Sequence, residues 1–370
     1  MVRFVTSFLL LFLWGKLQSQ SKQEFLDSIK KIDIHTHISS DAPYLRELMD
    51  SLNLKFTTLT TSQKDLEFLN VQAKRMIDGF PRYYAWVTTF SVTGINEPGW
   101  SDKVIAQLKK DFDNGAIGVK LWKIIGMEIK NVEGEFIQVD DPVFTPIFQF
   151  IADQEKTVIA HIGEPIQAWM PTWPSTDDLP GTYWEKHPEY SFWQRPDLPS
   201  YSEIIAARDR VLGRHPDLRF VGAHLGSLEF DVDEIAKRLE AYPNFAVDIG
   251  GRTRYLMWQA RGKVREFFIK YQDRIMYGTD RGGGLLKPDG SYLSQEELEL
   301  SKRSILARHR LFSTYYATDN DIHWGNYVIG DDALPYPTYV VKSLDLPENV
   351  LTKIFYQNAV DWFPGVDNGY

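Results

Sequence analysis

The sequence predicts an α/β chain in which eight strand–helix units close into a (β/α)8 TIM barrel, one large domain. Three observations carry this. Short apolar, β-branched runs alternate with helical stretches along the chain, the pattern of a mostly parallel sheet. The runs number close to eight. Polar residues able to bind metal recur at the C-terminal ends of the runs, where a closed barrel gathers its chemistry. A doubly wound open sheet shares the alternation, but no Gly-rich dinucleotide loop follows the first strand.

Taken in order, residues 1–20 stand apart from the domain at 21–370. Met1-Val2-Arg3 is basic, Phe8 to Trp14 is apolar, and Gly15 to Gln20 is more polar. That is the layout of a secretory signal peptide, and the apolar run is short for a membrane span. The expectation is an exported protein, periplasmic or secreted; an uncleaved N-terminal anchor is the rival. Ser21 to Lys30 reads as a lead-in helix. Lys31 to His37 is the first strand, and Pro43 to Ser51 a helix. Phe56 to Leu59 is a second strand, Ser62 to Asp78 a helix, and Arg82 to Phe90 a third strand. Asp102 to Phe112 is helical, and Gly115 to Trp122 is strand four. Asp141 to Gln154 is a helix, and Thr157 to His161 strand five. A Trp- and Pro-rich segment, Glu164 to Pro199, is long for a loop and is expected to wall or cover a pocket. Tyr201 to His215 and Val232 to Glu240 are helices around strand six, Leu218 to His224. Phe245 to Ile249 is strand seven, Val264 to Tyr271 a helix, and Arg274 to Asp280 strand eight. Arg281 to Glu296 is a Gly-rich loop. Helices at Glu297 to Tyr315 and Pro347 to Asp361 complete the chain.

Composition narrows the function classes. The 370 residues are 43% hydrophobic and 25% charged, as in an ordinary globular chain. The 50 acidic against 41 basic side chains give a net charge of -9. With no Lys/Arg block to neutralise phosphates, a nucleic-acid partner is not expected. The chain has no cysteine, so disulfides, thiolate zinc and iron–sulfur sites are excluded. Any metal must be held by His, Asp, Glu or a modified Lys. The 11 Trp, 18 Tyr and 22 Phe suit either a ring-lined pocket or a large core.

The candidate site follows from strand parity. Side chains two apart on a strand share a face, so Asp33, His35 and His37 are expected to point one way. Two imidazoles there can grip one ion. His161 in Val158-Ile159-Ala160-His161, His224 in Val221-Gly222-Ala223-His224 and Asp280 in Gly278-Thr279-Asp280 end later strands. In a closed barrel these ends converge.

On these residues the chain resembles the amidohydrolase superfamily, in its amidohydrolase-2 branch of metal-dependent hydrolases and decarboxylases. Asp33-Ile34-His35-Thr36-His37 is similar to the family's first-strand motif and His161-Ile162-Gly163-Glu164-Pro165 to its fifth. His224-Leu225-Gly226 is similar to the sixth and Gly278-Thr279-Asp280 to the eighth. Asn358-Ala359 resembles its closing helix motif. The resemblance covers nearly all of residues 21–370. It implies a barrel with a divalent metal, often dimeric. His35, His37, His161 and Asp280 are then the expected ligands, zinc the expected ion, and a second metal an open option. Asp280 is the expected proton shuttle. His224 would polarise a carbonyl or bind the second ion. Binuclear relatives carry a carboxylated lysine after strand four. Lys120 and Lys123 both qualify there, but have opposite parity, and Lys120 lies within the apolar run. Unmodified, Lys120 could hold an acidic substrate. Arg252, Arg254 and Arg281 could clamp a carboxylate. Trp122, Trp169, Trp173 and Trp324 could line the pocket.

The leading expectation is a hydrolase in which activated water attacks an ester, lactone or amide of a small organic substrate. The alternative is a nonoxidative decarboxylase, a carbon–carbon lyase, of an aromatic or unsaturated acid. A metal-free binding barrel is the third reading.

Overall fold

The computed structural model describes residues 22–60, 65–171, 191–285, 291–323 and 340–370. The signal-like segment, Trp173 and Trp324 lie outside them. Eight parallel strands form the wall: β1 (Lys31–Ile38), β2 (Leu54–Leu59), β3 (Tyr84–Val87), β4 (Gly118–Leu121), β5 (Thr157–Ala160), β6 (Arg219–Gly222), β7 (Phe245–Asp248) and β8 (Ile275–Met276). Four of them, β3, β4, β5 and β7, are runs of four residues with every residue buried. That is why the sequence shows continuous apolar runs rather than alternation.

The wall consists of two sheets, β4 to β8 in chain order, and β3-β2-β1 with a further strand, β9 (Arg281–Gly283). Two seams join them. At one, Thr88 pairs with Val119, and Thr88 N donates to Gly118 O at 3.0 Å. At the other, Ile34 N donates to Tyr277 O at 3.1 Å and Asp280 N to His35 O at 2.8 Å. Ile32, Ile34, Leu59, Ala85, Val87, Ile159, Val221, Ala246 and Met276 form one cluster. Side chains from that many strands meet only inside a closed barrel. Ala359, Phe363 and Val366 of the tail join the same cluster. The tail ends with Tyr370 Oη donating to Asn53 O at 2.6 Å.

β9 corrects the sequence reading, which left Arg281 to Gly283 in a loop. The segment pairs in parallel with Thr36, His37 and Ile38. A Cβ on Gly283 would stand 2.7 Å from Ile38 Cδ1, so glycine is what permits the approach. The start of the expected Gly-rich loop is thus a short strand that extends the closing edge beyond β8. A second correction concerns parity: the β1 register shifts between Asp33 and Thr36. Asp33 leaves the histidines and accepts from Thr279 N at 3.1 Å and from Thr279 Oγ1.

Helices α1 (Pro43–Leu52), α2 (Leu66–Gly79), α3 (Trp100–Asp113), α4 (Thr145–Asp153), α5 (Tyr201–Arg214), α6 (Val232–Ala241), α7 (Arg261–Lys270) and α8 (Gln295–Ala317) cover the wall. α5 and α8 begin with reciprocal capping boxes, Ser200 with Glu203 and Ser294 with Glu297, which satisfy the free N–H groups of the first turn. Among the described residues no helix is long and apolar enough to cross a membrane.

Gly222, which ends β6, tests this packing. An added Cβ would lie 2.8 Å from Gly226 Cα and 2.9 Å from the Phe245 ring. Gly222→Ala is expected to destabilise the protein by about 1–3 kcal/mol through overpacking. A lower urea midpoint at unchanged slope is the expected reading. An unchanged midpoint would refute the close packing at this strand end.

Candidate active site

The C-terminal ends of β1, β4, β5, β6, β7 and β8 meet over one cleft. His35 is fully buried, and its Nδ1 donates to Asp248 Oδ2 at 2.9 Å. Because a carboxylate accepts, Nδ1 carries the proton and Nε2 keeps its lone pair. That Nε2 has no hydrogen bond and lies 3.4 Å from Asp280 Oδ1. His37 Nε2 lies 3.1 Å from the same oxygen.

Asp280 has φ 58°, a left-handed conformation that Asp tolerates better than most residues. Its N–H is tied to His35 O, and the Gly251 backbone packs beneath it, where a Cβ would come within 2.9 Å of Oδ2. Burial favours the neutral acid, but His224, His37 and His35 together overcome it and hold the carboxyl well below its usual range.

His224 departs from the strand expected there. β6 stops at Gly222, and His224, Leu225, Gly226 and Ser227 all have positive φ, between 58° and 65°. Such conformations cost about 1–3 kcal/mol at a non-Gly residue and persist only where neighbours impose them. Here His224 N donates to Asp248 Oδ1 at 3.1 Å, and Arg208 and Tyr201 bond to Gly226 O and Ser227 O. His224 Nδ1 donates to Gly250 O at 2.8 Å, so Nε2 is its free nitrogen. Burial keeps this imidazole neutral, its pKa well below the usual value.

Asp248 is the residue that the sequence reading missed. It is fully buried at the end of β7 and accepts from His35 Nδ1, His224 N and Gly250 N, the last at 2.7 Å. One carboxylate thereby sets the tautomer of one imidazole and the backbone of another. The signal was present: an acid closing the apolar run Phe245-Ala246-Val247.

His161 lies with its ring centroid 4.3 Å from that of His224 and its Nε2 3.6 Å from Glu164 Oε2. Burial lowers its pKa to about 4. Glu164 also pairs with Lys123. Burial opposes its charge, but His161 and Lys123 bring its pKa to about 2. The two lysines therefore separate: Lys123 in this loop pair, Lys120 fully buried with no hydrogen bond to Nζ. Lys120 Nζ stands 5.3 Å from the Trp122 ring centroid. Trp122 in turn lies 5.8 Å from the His37 ring. Trp169 packs elsewhere, with Phe192 and Tyr201, its Nε1 donating to Pro199 O at 3.1 Å.

The donor set fits a divalent ion. Ligand atoms of His35, His37 and Asp280 all lie within 4.8 Å of one another. Four ligands at about 2.1 Å in a tetrahedron are about 3.4 Å apart, close to the 3.1 and 3.4 Å found here. A second cluster, His35, His224 and Asp248, meets the same 4.8 Å limit. His161 lies outside both clusters, its Nε2 without a hydrogen bond.

Fold and site thus define a metal-binding barrel enzyme. The family model described as Amidohydrolase matches residues 32–365, and the chain belongs to the amidohydrolase superfamily, in the branch that holds both hydrolases and decarboxylases. Solved structures share the fold at low identity. A 2,6-dihydroxybenzoate decarboxylase from Rhizobium is 14% identical, with 90% of this chain and 98% of that one covered, at a TM-score of 0.50. An uncharacterized TIM-barrel protein from Bordetella bronchiseptica is 16% identical over 91% and 99%, at 0.46. A 5-carboxyvanillate decarboxylase from Novosphingobium aromaticivorans, complexed with manganese, is 12% identical over 91% and 96%, at 0.48. No curated protein matches the chain.

Proposed function

We propose that the chain is a metal-dependent nonoxidative decarboxylase of an aromatic or unsaturated carboxylic acid. The observation that carries this is Lys120: a fully buried ammonium with no hydrogen bond, beside the ligand cluster and against Trp122. Asp248 and Asp280 lie near enough to act on its charge, but a buried ammonium with no hydrogen bond is costly, and a substrate carboxylate would supply the hydrogen-bonding partner. The solved barrel at a TM-score of 0.50 carries the name of a decarboxylase of a carboxylated arene; that likeness is one of fold, and the anion-binding lysine is this chain's own.

In this reading His35, His37 and Asp280 hold the ion, proposed as zinc, with His161 as a further donor. The ion supplies charge neutralisation at the substrate's oxygens. Lys120 orients the carboxylate, and Trp122 covers the flat body. The bond to the carboxyl carbon breaks, its electron pair stays on the substrate, and a proton takes the place of carbon dioxide. His224, neutral with Nδ1–H held by Gly250 O, would take a proton from water on its free Nε2 and pass it to that carbon, and Asp280 is the alternative relay.

Hydrolysis is the second reading. It is favoured by the place of the Asp280 carboxylate among the donors of the trio, where it could take a proton from water on the ion. Zinc- or manganese-loaded protein should be assayed on carboxylated phenols and on lactones. Carbon dioxide release without oxygen-18 uptake from labelled water is the expected result. Uptake into a ring-opened acid would replace the proposal with hydrolysis. A protein that holds no ion and gains nothing from zinc or manganese would leave only a binding barrel.

Lys120 supplies two sharper predictions. Lys120→Met is expected to raise KM for the acid at least about tenfold while bound metal stays unchanged. Burial lowers the Lys120 pKa to about 8, so the ammonium is present below that pH and lost above it. Affinity for the carboxylate should fall about tenfold per pH unit beyond it, and a flat profile to pH 10 would remove Lys120 from substrate binding. Export is proposed from Met1 to Gln20 alone. N-terminal sequencing of the secreted or periplasmic protein should begin near Gln18 to Ser21, and an intact Met1 would overturn cleavage.

A further inference from the structure

A second group of buried charges lies beside the cleft. Glu229 follows the left-handed turn of His224 and is fully buried; neither carboxylate oxygen has a hydrogen bond. Its neighbour is Arg252, whose side chain is 14% exposed and whose Nε stands 3.6 Å from Glu229 Oε1. The Arg252 Nε likewise has no hydrogen bond, and its Nη1 makes only a 3.4 Å contact with Gly251 O. The pair borders the site. Gly251, the residue packed beneath Asp280, immediately precedes Arg252.

A structural ion pair in such a place closes to about 2.7–2.9 Å and spends its donors. Left open, a buried pair loses more in desolvation than its attraction returns. Here acceptors and donors stand side by side, unspent, and separated by more than a hydrogen bond. We propose that Glu229 and Arg252 form a recognition subsite for a substrate group that both donates and accepts a hydrogen bond, a hydroxyl or a primary carboxamide. The group's N–H or O–H would donate to Glu229, and its oxygen would accept from Arg252. The subsite selects among acids that Lys120 and the ion would take, and in that respect rests on the decarboxylase reading. A bare carboxylate is a poor occupant, because Glu229 repels it. An aliphatic or unsubstituted aryl group is worse, since it leaves both charges unpaired, and sites of this kind reject such analogues strongly.

The test uses the zinc-loaded full chain and isothermal titration calorimetry. The probes are benzoate, the three hydroxybenzoate isomers and the corresponding carbamoylbenzoates, together with phenol and benzamide. At least one isomer of each substituted acid should bind ten times or more tighter than benzoate. Glu229→Leu should reduce that preference to less than twofold, and Glu229→Gln, which keeps an acceptor, should restore part of it. If Glu229→Leu fails to fold, the double variant Glu229→Leu/Arg252→Met, which buries no unpaired charge, takes its place with the same expectation. Equal binding of all acids to the wild-type protein, as when water fills the gap, would overturn the subsite. So would a preference that survives the double variant. Phenol and benzamide separate this from the wider proposal. If no acid is decarboxylated but benzamide still binds in a Glu229-dependent way, the subsite stands and the decarboxylase reading falls.

Discussion

Asp280→Ala is expected to empty the metal site and reduce kcat/KM by at least about 10³. The side chain has two duties. Its Oδ1 stands 3.1 Å from His37 Nε2 and 3.4 Å from His35 Nε2, so it supplies the only anionic atom of that donor trio. Without it two neutral imidazoles face a doubly charged ion. The same carboxylate is the alternative proton carrier, and proton transfer by a positioned group contributes about 10²–10⁴ on its own. Metal content by mass spectrometry should fall below one tenth of the wild-type value while the folded far-UV spectrum is kept. His37→Ala should lose metal but keep a residual proton carrier, and so sit between the two. An Asp280→Ala protein that retains a full equivalent of zinc would move the site elsewhere, with the cluster of His35, His224 and Asp248 next in line.

The second large effect belongs to Asp248. Asp248→Leu leaves His35 Nδ1, His224 N and Gly250 N, all buried donors, without their acceptor. Breaking a buried charged network from one side costs about 3–5 kcal/mol, and the left-handed turn at His224 would lose its main restraint. Asp248→Asn keeps the shape but offers one acceptor oxygen instead of two. His35 would be free to turn, and losses of about 10–100-fold in metal affinity accompany removal of such a partner. Acid should reproduce part of this. Burial opposes the Asp248 charge, but His35 and Lys120 outweigh it and hold its pKa below the usual value. A carboxyl depressed in the folded state stabilises fully above its unfolded pKa, and the contribution fades as pH falls through the folded one. Wild-type stability should therefore drop on acidification below about pH 4 more steeply than that of Asp248→Asn. Parallel curves would show that the network carries little energy.

What could be read without the structure divides along physical lines. The wall of the barrel was legible because strands covered on both faces must be apolar throughout, and runs such as Thr157 to Ala160 declare themselves. Residues that break such a run at its end were legible too, which is how His35, His37, His161, His224 and Asp280 stood out. Asp248 has the same signature but was passed over. It ends its run as a single acid with no histidine beside it, and its partner His35 lies far away in sequence. Arg281 to Gly283 was hidden for the opposite reason: glycine, needed for close approach to Ile38, imitates a loop. The kink that takes His224 out of β6 could not be foreseen. It is imposed by Asp248, Arg208 and Tyr201 from other elements, not by local preference. Glu229, between strand six and the helix that begins at Val232, drew no notice, since its missing partners are a fact of three dimensions.

The seam between β1 and the segment 277–283 carries a consequence for how the molecule matures. His35 and His37 stand on one lip and Asp280 on the other, at opposite ends of the chain. Contacts between such distant residues carry a large loop-closure cost and tend to form late. The ion-binding trio therefore comes into being only as the ring is sealed, and a chain folded through seven of its eight units lacks Asp280, the anionic member of that trio. Metal taken up afterwards adds its binding energy to the sealed form alone. It would act as a clasp, slowing the seam's reopening more than it hastens its closing.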